Sequence, residues 1–266
     1  MCFLARLFLI LSLNLLISLA YADQCESYVG KKLAISSFEE VIKKFDNLSP
    51  KTEFETNADF SARRKNSLDG VLGEELIILR NIPEAEKKYI EYDAEKKQFK
   101  IIRFIFNNRA APIEKIFKKM NLNFPRNPLN KYVDNVIIAS SDKRIGEYEA
   151  SNAMGARVTV GKLHRQTHVI FDGAILFSQA QTPPYVLGFL KMEPQDARVF
   201  KETVRLAFVV NLKDPFFITG THRATDPSFS YPYEIDEEIS ILFASIQCGL
   251  IVDQQGTSLA AFKAIR

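Results

Sequence analysis

The chain of 266 residues holds three histidines, and their spacing limits the chemistry they can do. His164 and His168 form H-x-x-x-H. On a helix that spacing puts both rings on one face, as in a metalloprotease pair, but Arg165 stands where such a pair carries its glutamate. The segment around them reads as a strand. Residues four apart on a strand share a face and lie roughly 13 Å apart at about 3.3 Å per residue. One metal ion with ligand bonds of about 2 Å cannot span that distance, and Arg165 repels a cation, so no metal site is expected.

The third, His222, falls in the polar stretch Thr219 to Asp226, read as a loop between strands. Loops of this kind carry recognition residues, and Thr221, His222 and Arg223 are candidates to meet a small polar ligand. Tyr231 and Tyr233 join them. With Tyr185, Phe216, Phe217 and Phe229 they form an aromatic set among prolines. That set reads as turn packing or as a platform for a peptide, glycan or partner chain. The plain alternative for the His222 segment is a solvated loop. No catalytic residue is assigned. The chain has no G-x-S-x-G elbow and no cysteine in a catalytic context. No sequence pattern singles out two carboxylates for acid–base work. Neither G-x-G-x-x-G nor a P-loop occurs, so no nucleotide cofactor is expected, nor any other cofactor.

The elements that must hold these residues are mixed at first and then mostly strands. Ser37 and Glu40 make a capping box for a helix whose Phe38, Val41, Ile42 and Phe45 share one face. Thr56 and Asp59 open a second helix running to about Ser67. Its Arg63 stands one turn after Asp59, at the spacing of an ion pair. Phe54, Ala58 and Phe60 are expected to dock it on a sheet. Leu76 to Leu79 suits a strand, and Tyr89 to Asp93 with Phe99 to Phe106 suit a hairpin. Residues 107–131, with three prolines around a short helix Ile113 to Met120, read as a boundary. Beyond it, strands are expected at Val133 to Ala139, Ile145 to Ala150, Arg157 to Phe171, Leu206 to Leu212, Phe216 to Thr219, Glu238 to Ile246 and Leu250 to Val252. A bulge is expected at Gly161, and a short helix after Pro194. The fold class is therefore α+β. A small N-terminal helix-and-hairpin portion (23–130) precedes a larger antiparallel β portion (131–266), sandwich-like or a curled sheet, as two units or one continuous domain.

The first 22 residues read as an export signal. Arg6 precedes an apolar run from Leu7 to Leu19, and Ala20-Tyr21-Ala22 gives a small-x-small cleavage pattern before Asp23. The 13-residue run is shorter than the roughly 20 needed to span a bilayer. No membrane span is expected after cleavage. Net charge is +3, and the basic clusters are short, so no nucleic-acid partner is expected. Cleavage removes Cys2 and leaves Cys25 and Cys248, an even pair that suggests one disulfide in an oxidising compartment; the alternative is a buried thiol at Cys248.

Phe54-Glu55-Thr56-Asn57-Ala58-Asp59-Phe60-Ser61-Ala62-Arg63 resembles an F-E-T-x-A-[DE]-[FY]-x-A-R motif of a loose group of uncharacterised exported bacterial proteins. Asn152-Ala153-Met154-Gly155-Ala156 is similar to a later N-A-x-G-A motif of the same group, and the layout from Asp214 to Glu234 is also similar. The resemblance implies bacterial origin and a periplasmic location and brings no activity. Together these readings give an exported protein, periplasmic or secreted, that binds a protein or envelope component or serves a structural role without catalysis. The alternative is an envelope-directed hydrolase whose site assembles from residues distant in sequence.

Overall fold

Two long strands late in the chain form the spine of the molecule. In the computed structural model, which describes residues 24–45, 52–67, 73–106, 112–119, 135–173 and 183–264, β7 (Arg205–Thr225) and β8 (Tyr233–Val252) pair antiparallel over nearly their whole length. Along β8, Ile235, Ile239 and Ile241 alternate with polar residues at first. From Leu242 to Val252 the strand is buried almost residue by residue. The first pattern fits a sheet with one wet face, and the second a sheet covered on both.

Each half of the spine has its own flanking strands. β1 (Leu76–Asn81) pairs with β7 from Arg205 to Val210, and β9 (Ser258–Lys263) pairs with β8 from Cys248 onward. Further along, β5 (Arg157–Phe171) lies parallel to β8, and β4 (Asn135–Ser151) lies antiparallel to β5. The sheet order is β1-β7-β8-β5-β4. Its two ends approach each other, because Arg80 Nε of β1 donates to the Ile137 carbonyl of β4 at 2.7 Å. A second sheet, β2 (Ile90–Asp93), β3 (Gln98–Ile102) and β6 (Val186–Lys191), is antiparallel throughout. The architecture is α+β with a larger β portion, as expected. The portions on either side of residue 130 share strands, since β1 joins β7 and β3 joins β6.

Three apolar clusters hold the layers. Phe99 and Ile101 of the small sheet pack with Ile78, Leu206, Phe208 and Val210 on one face of the spine. Phe200 of α4 (Pro194–Thr203) meets Phe99 edge-on there, and α1 (Phe38–Lys43) buries Phe38 and Val41 in the same cluster. On the opposite face α3 (Ile113–Lys119) sets Ile113, Ile116 and Phe117 against Val169, Phe171, Ile239, Ile241 and Phe243. The N-terminal segment covers Ala207, Val209 and Leu250, fixed by the Cys25–Cys248 disulfide with Cα atoms 5.8 Å apart.

Local signals mark several boundaries. Ser37 and Glu40 form both bonds of the capping box of α1. Thr56 and Asp59 bond reciprocally at the start of α2 (Asn57–Ser67). Asn152 turns the β4–β5 hairpin: its Oδ1 accepts the N–H groups of Met154 and Ala156, while Gly155 takes a φ of +83° that favours glycine.

Other expectations fail for identifiable reasons. The break expected between Ala139 and Ile145 is absent; β4 runs through Ser141-Asp142-Lys143, where Arg165 of β5 grips Asp142 with two hydrogen bonds. The breaks expected after Leu212 and Ile246 are irregularities within continuous strands. Gly161 pairs regularly, the register shift falling in β4 instead; a Cβ at Gly161 would lie 3.1 Å from the Tyr233 ring. Phe54 and Ala58 do not dock α2, Phe54 being 91% exposed, and Arg63 bonds Glu55 rather than Asp59. The signal segment, most of the 107–131 boundary and Met120 lie outside the described residues.

Candidate functional site

Strand register brings four charged or titratable side chains into one row. Asp142 of β4 stands opposite Arg165 of β5, Arg165 opposite Glu237 of β8, and Glu237 opposite His222 of β7. Side chains on one sheet face alternate along each strand, so Glu237 occupies the face of Ile235, Ile239 and Ile241, where the period calls for an apolar residue. It is 6% exposed. A buried carboxylate persists when its lone pairs are met, and here the Thr167 hydroxyl donates to Glu237 Oε1 at 2.5 Å. Ser140 extends the chain with its hydroxyl 3.2 Å from that of Thr167. His222 Nε2 lies 3.6 Å from Glu237 Oε2.

Burial shapes the protonation of this row. Desolvation holds the His222 pKa below its ordinary 6.5, with a smaller push from Lys115, against the opposing attraction of Glu237. The ring is therefore neutral at neutral pH. Its side chain is nine-tenths buried, and Nδ1 has no hydrogen-bond partner among the described residues. At the other end of the row the hydrogen-bonded Arg165 guanidinium holds the Asp142 carboxyl below the usual carboxylate range.

These side chains line a cavity of about 810 Å³. Its far side is β1 and the 3-10 helix Glu84–Tyr89, where Arg80 contacts Glu86 as a buried ion pair. Arg80 also donates to the carbonyls of Ile105 and Ile137, so its charge is fully engaged. Lys115 of α3, Ile137, Ala139 and Ala224 complete much of the wall. The size lies within the roughly 300–1,000 Å³ of small-molecule sites.

The residues expected to act together are separated. His222 is part of β7, not a loop, because His222 to Glu237, Arg223 to Asp236 and Thr225 to Ile235 continue the β7–β8 ladder. It enters the cavity wall, while its neighbours alternate to the opposite face. There Arg223 bonds Asp236 at 2.7 Å and lies 3.3 Å from Glu234. Thr221 is exposed, and its carbonyl accepts from Lys119 Nζ at 3.3 Å. Tyr231 and Tyr233 sit at the end of the hairpin with ring centroids 5.2 Å apart, both exposed. His164 and His168 meet different groups: His164 Nε2 is 3.8 Å from Glu238, and His168 stacks on Phe38 at 4.6 Å. His168 Nδ1 is 3.1 Å from Glu39 Oε1 without the alignment of a hydrogen bond. Among the described residues no group of three His, Cys, Asp or Glu side chains could hold a metal ion. No helix among them is long and apolar enough to cross a membrane.

Ser140, Asp142, Arg165, Thr167 and Glu237 were not among the expected ligand residues. One signal for Glu237 was present: an acid on the apolar period of Ile235 and Ile239. No protein-family model, curated protein or solved structure matches this chain.

Proposed function

We propose that this is an exported bacterial protein of the periplasm that binds a ligand, without catalysis, in the cavity walled by the Asp142–Arg165–Glu237–His222 row. The observation that carries the reading is the convergence of that row, with Thr167 and Ser140, on one concave space. The cavity's volume suits a small molecule, and its wall sets charged and hydroxyl side chains beside the apolar Ile137, Ile138, Ala139 and Ala224. The Cys25–Cys248 disulfide supports export, since such bonds persist in oxidising compartments. The apolar run and Ala20-Tyr21-Ala22 support it independently.

The hydrolase reading has one observation in its favour, a hydroxyl, a carboxylate and an imidazole within one cluster. Their order opposes it. In a nucleophile–base–acid relay the histidine stands between hydroxyl and carboxylate. Here Thr167 donates to Glu237 directly, and His222 lies on the carboxylate's other oxygen. The carboxylate is the hub, an arrangement that fixes positions rather than activating an alcohol.

Two experiments test the reading. N-terminal sequencing of the protein recovered from a bacterial periplasm should begin at Asp23; retention in the cytoplasm with Met1 intact overturns export. A thermal-shift screen of a metabolite library should find compounds that stabilise the wild type but not Glu237→Gln. Hits that stabilise both equally place binding elsewhere.

A further inference from the structure

The cavity wall holds three cations, Arg80, Lys115 and Arg165, and three carboxylates, Glu86, Asp142 and Glu237. Arg80 is paired with Glu86 and with two backbone carbonyls, and Arg165 is bonded twice to Asp142. That leaves one charge of each sign without a counter-ion. Lys115, exposed on α3, forms no ion pair or hydrogen bond among the described residues. Glu237 makes a single hydrogen bond, through Oε1 to Thr167. The nearest group to its Oε2 is the neutral His222 ring at 3.6 Å, too far for a hydrogen bond. His222 Nδ1 is sealed from the cavity, whereas Glu237 Oε2 keeps surface open to it.

The two lone charges belong to one site. Lys115 pushes the His222 pKa down while Glu237 pulls it up, so the fields of both reach the same ring. A buried carboxylate oxygen without a counter-charge is unfavourable, and a ligand ammonium relieves it with short charge-assisted hydrogen bonds. An ammonium alone, however, adds its charge to a wall where Lys115 is still unmatched. A carboxylate alone pairs with Lys115 and leaves Glu237 as it was, with a second negative charge nearby. A molecule carrying both groups leaves no charge of the wall unmatched. Ile137, Ile138, Ala139 and Ala224 offer apolar surface for its carbon skeleton.

Resting on the binding reading above, we infer that the ligand is a small zwitterion with a primary ammonium and a carboxylate, the chemistry of a free amino acid or of a short peptide with free ends. Its ammonium meets Glu237 Oε2 deep in the wall, and its carboxylate meets Lys115. The cavity of about 810 Å³ has room for either.

Calorimetric titration with each common L-amino acid and with trialanine tests this, and the tighter of the two kinds identifies the source. The best binder is then compared with its amide, which lacks the carboxylate charge, and its N-acetyl form, which lacks the ammonium. The wild type should bind the parent at least about tenfold more tightly than either. Lys115→Met should weaken the parent about tenfold without weakening the amide. Glu237→Gln should weaken the parent and the amide without weakening the N-acetyl form. Lys115 is exposed, so its variant reads the site even where Glu237→Gln fails to fold. Equal binding of the three forms overturns the ligand class, as does a Lys115→Met protein that weakens all three alike. If no amino acid and no trialanine binds while the library screen yields hits lost in Glu237→Gln, the class is overturned and the cavity stands as a binding site. If the screen yields none either, the binding reading falls with it.

Discussion

The two halves of the β7–β8 spine are built from the same pair of strands and have opposite character. In one half, Leu206 to Val210 faces Ile246 to Val252, both faces are covered, and a disulfide ties the N-terminal segment to it. In the other, His222 and Glu237 lie in register among ion pairs, and the hairpin ends in exposed Phe229, Tyr231 and Tyr233. The first half is a near-continuous apolar run. The second alternates, with carboxylates on both faces. One half is covered and cross-linked and the other holds the proposed binding row, and a polar side chain on an apolar period marks where the change occurs.

The largest expected effect lies in the covered half. Replacing Cys25 and Cys248 together with alanine opens a constraint spanning 223 residues. The chain-entropy account puts the loss at about 5 kcal/mol, read as a lower urea midpoint at unchanged ligand selectivity. A loss under about 1 kcal/mol breaks the comparison, because that half then owes little to its staple. Next comes the seam where β1 meets β4. Glu86→Ala leaves the Arg80 guanidinium buried beside empty space and should cost about 4 kcal/mol. The double variant Arg80→Met with Glu86→Leu should recover much of that loss.

Two substitutions probe the polar half. Gly220 faces α3, and a Cβ there would lie 2.5 Å from Ile116 Cγ2. Gly220→Ala should therefore push α3 away at about 1–3 kcal/mol and alter the cavity wall through Lys115. An unchanged melting temperature shows that α3 is loosely held. Glu237→Gln keeps an oxygen for the Thr167 hydroxyl and should change stability by no more than about 1 kcal/mol, while removing ligand stabilisation. If it unfolds the protein instead, the row is structural and the division between halves is wrong.

The same contrast explains what could be read from residues alone. Caps and turns are local, so Ser37 with Glu40, Thr56 with Asp59 and Asn152 with Gly155 announce their structures. The pairing of Cys25 with Cys248 followed from cysteine arithmetic. Register between distant strands is not local. Asp142 meets Arg165, and Arg165 meets Glu237, through a hairpin and then a parallel pairing that no short segment encodes. The break expected between Ala139 and Ile145 is bridged where Arg165 grips Asp142. Of the expected ligand residues, His222 reached the cavity because strand alternation aimed it there; Thr221 and Arg223 were aimed away by the same rule.

The smallest effect is also the most specific to the polar half. Burial lowers the His222 pKa in the folded protein below 6.5, and unfolding returns it to that ordinary value. Between the two values the unfolded chain binds the extra proton, so stability rises with pH across that interval. The contribution is complete above 6.5, is lost as pH falls through the folded value, and is constant below it. Urea midpoints followed from about pH 7.5 down to about pH 5 should decline more steeply for the wild type than for His222→Gln. The covered half has no imidazole among its cluster residues, so the difference isolates the row. Parallel curves would mean that the ring is as well solvated folded as unfolded, and that the half with the proposed binding row holds no desolvated site.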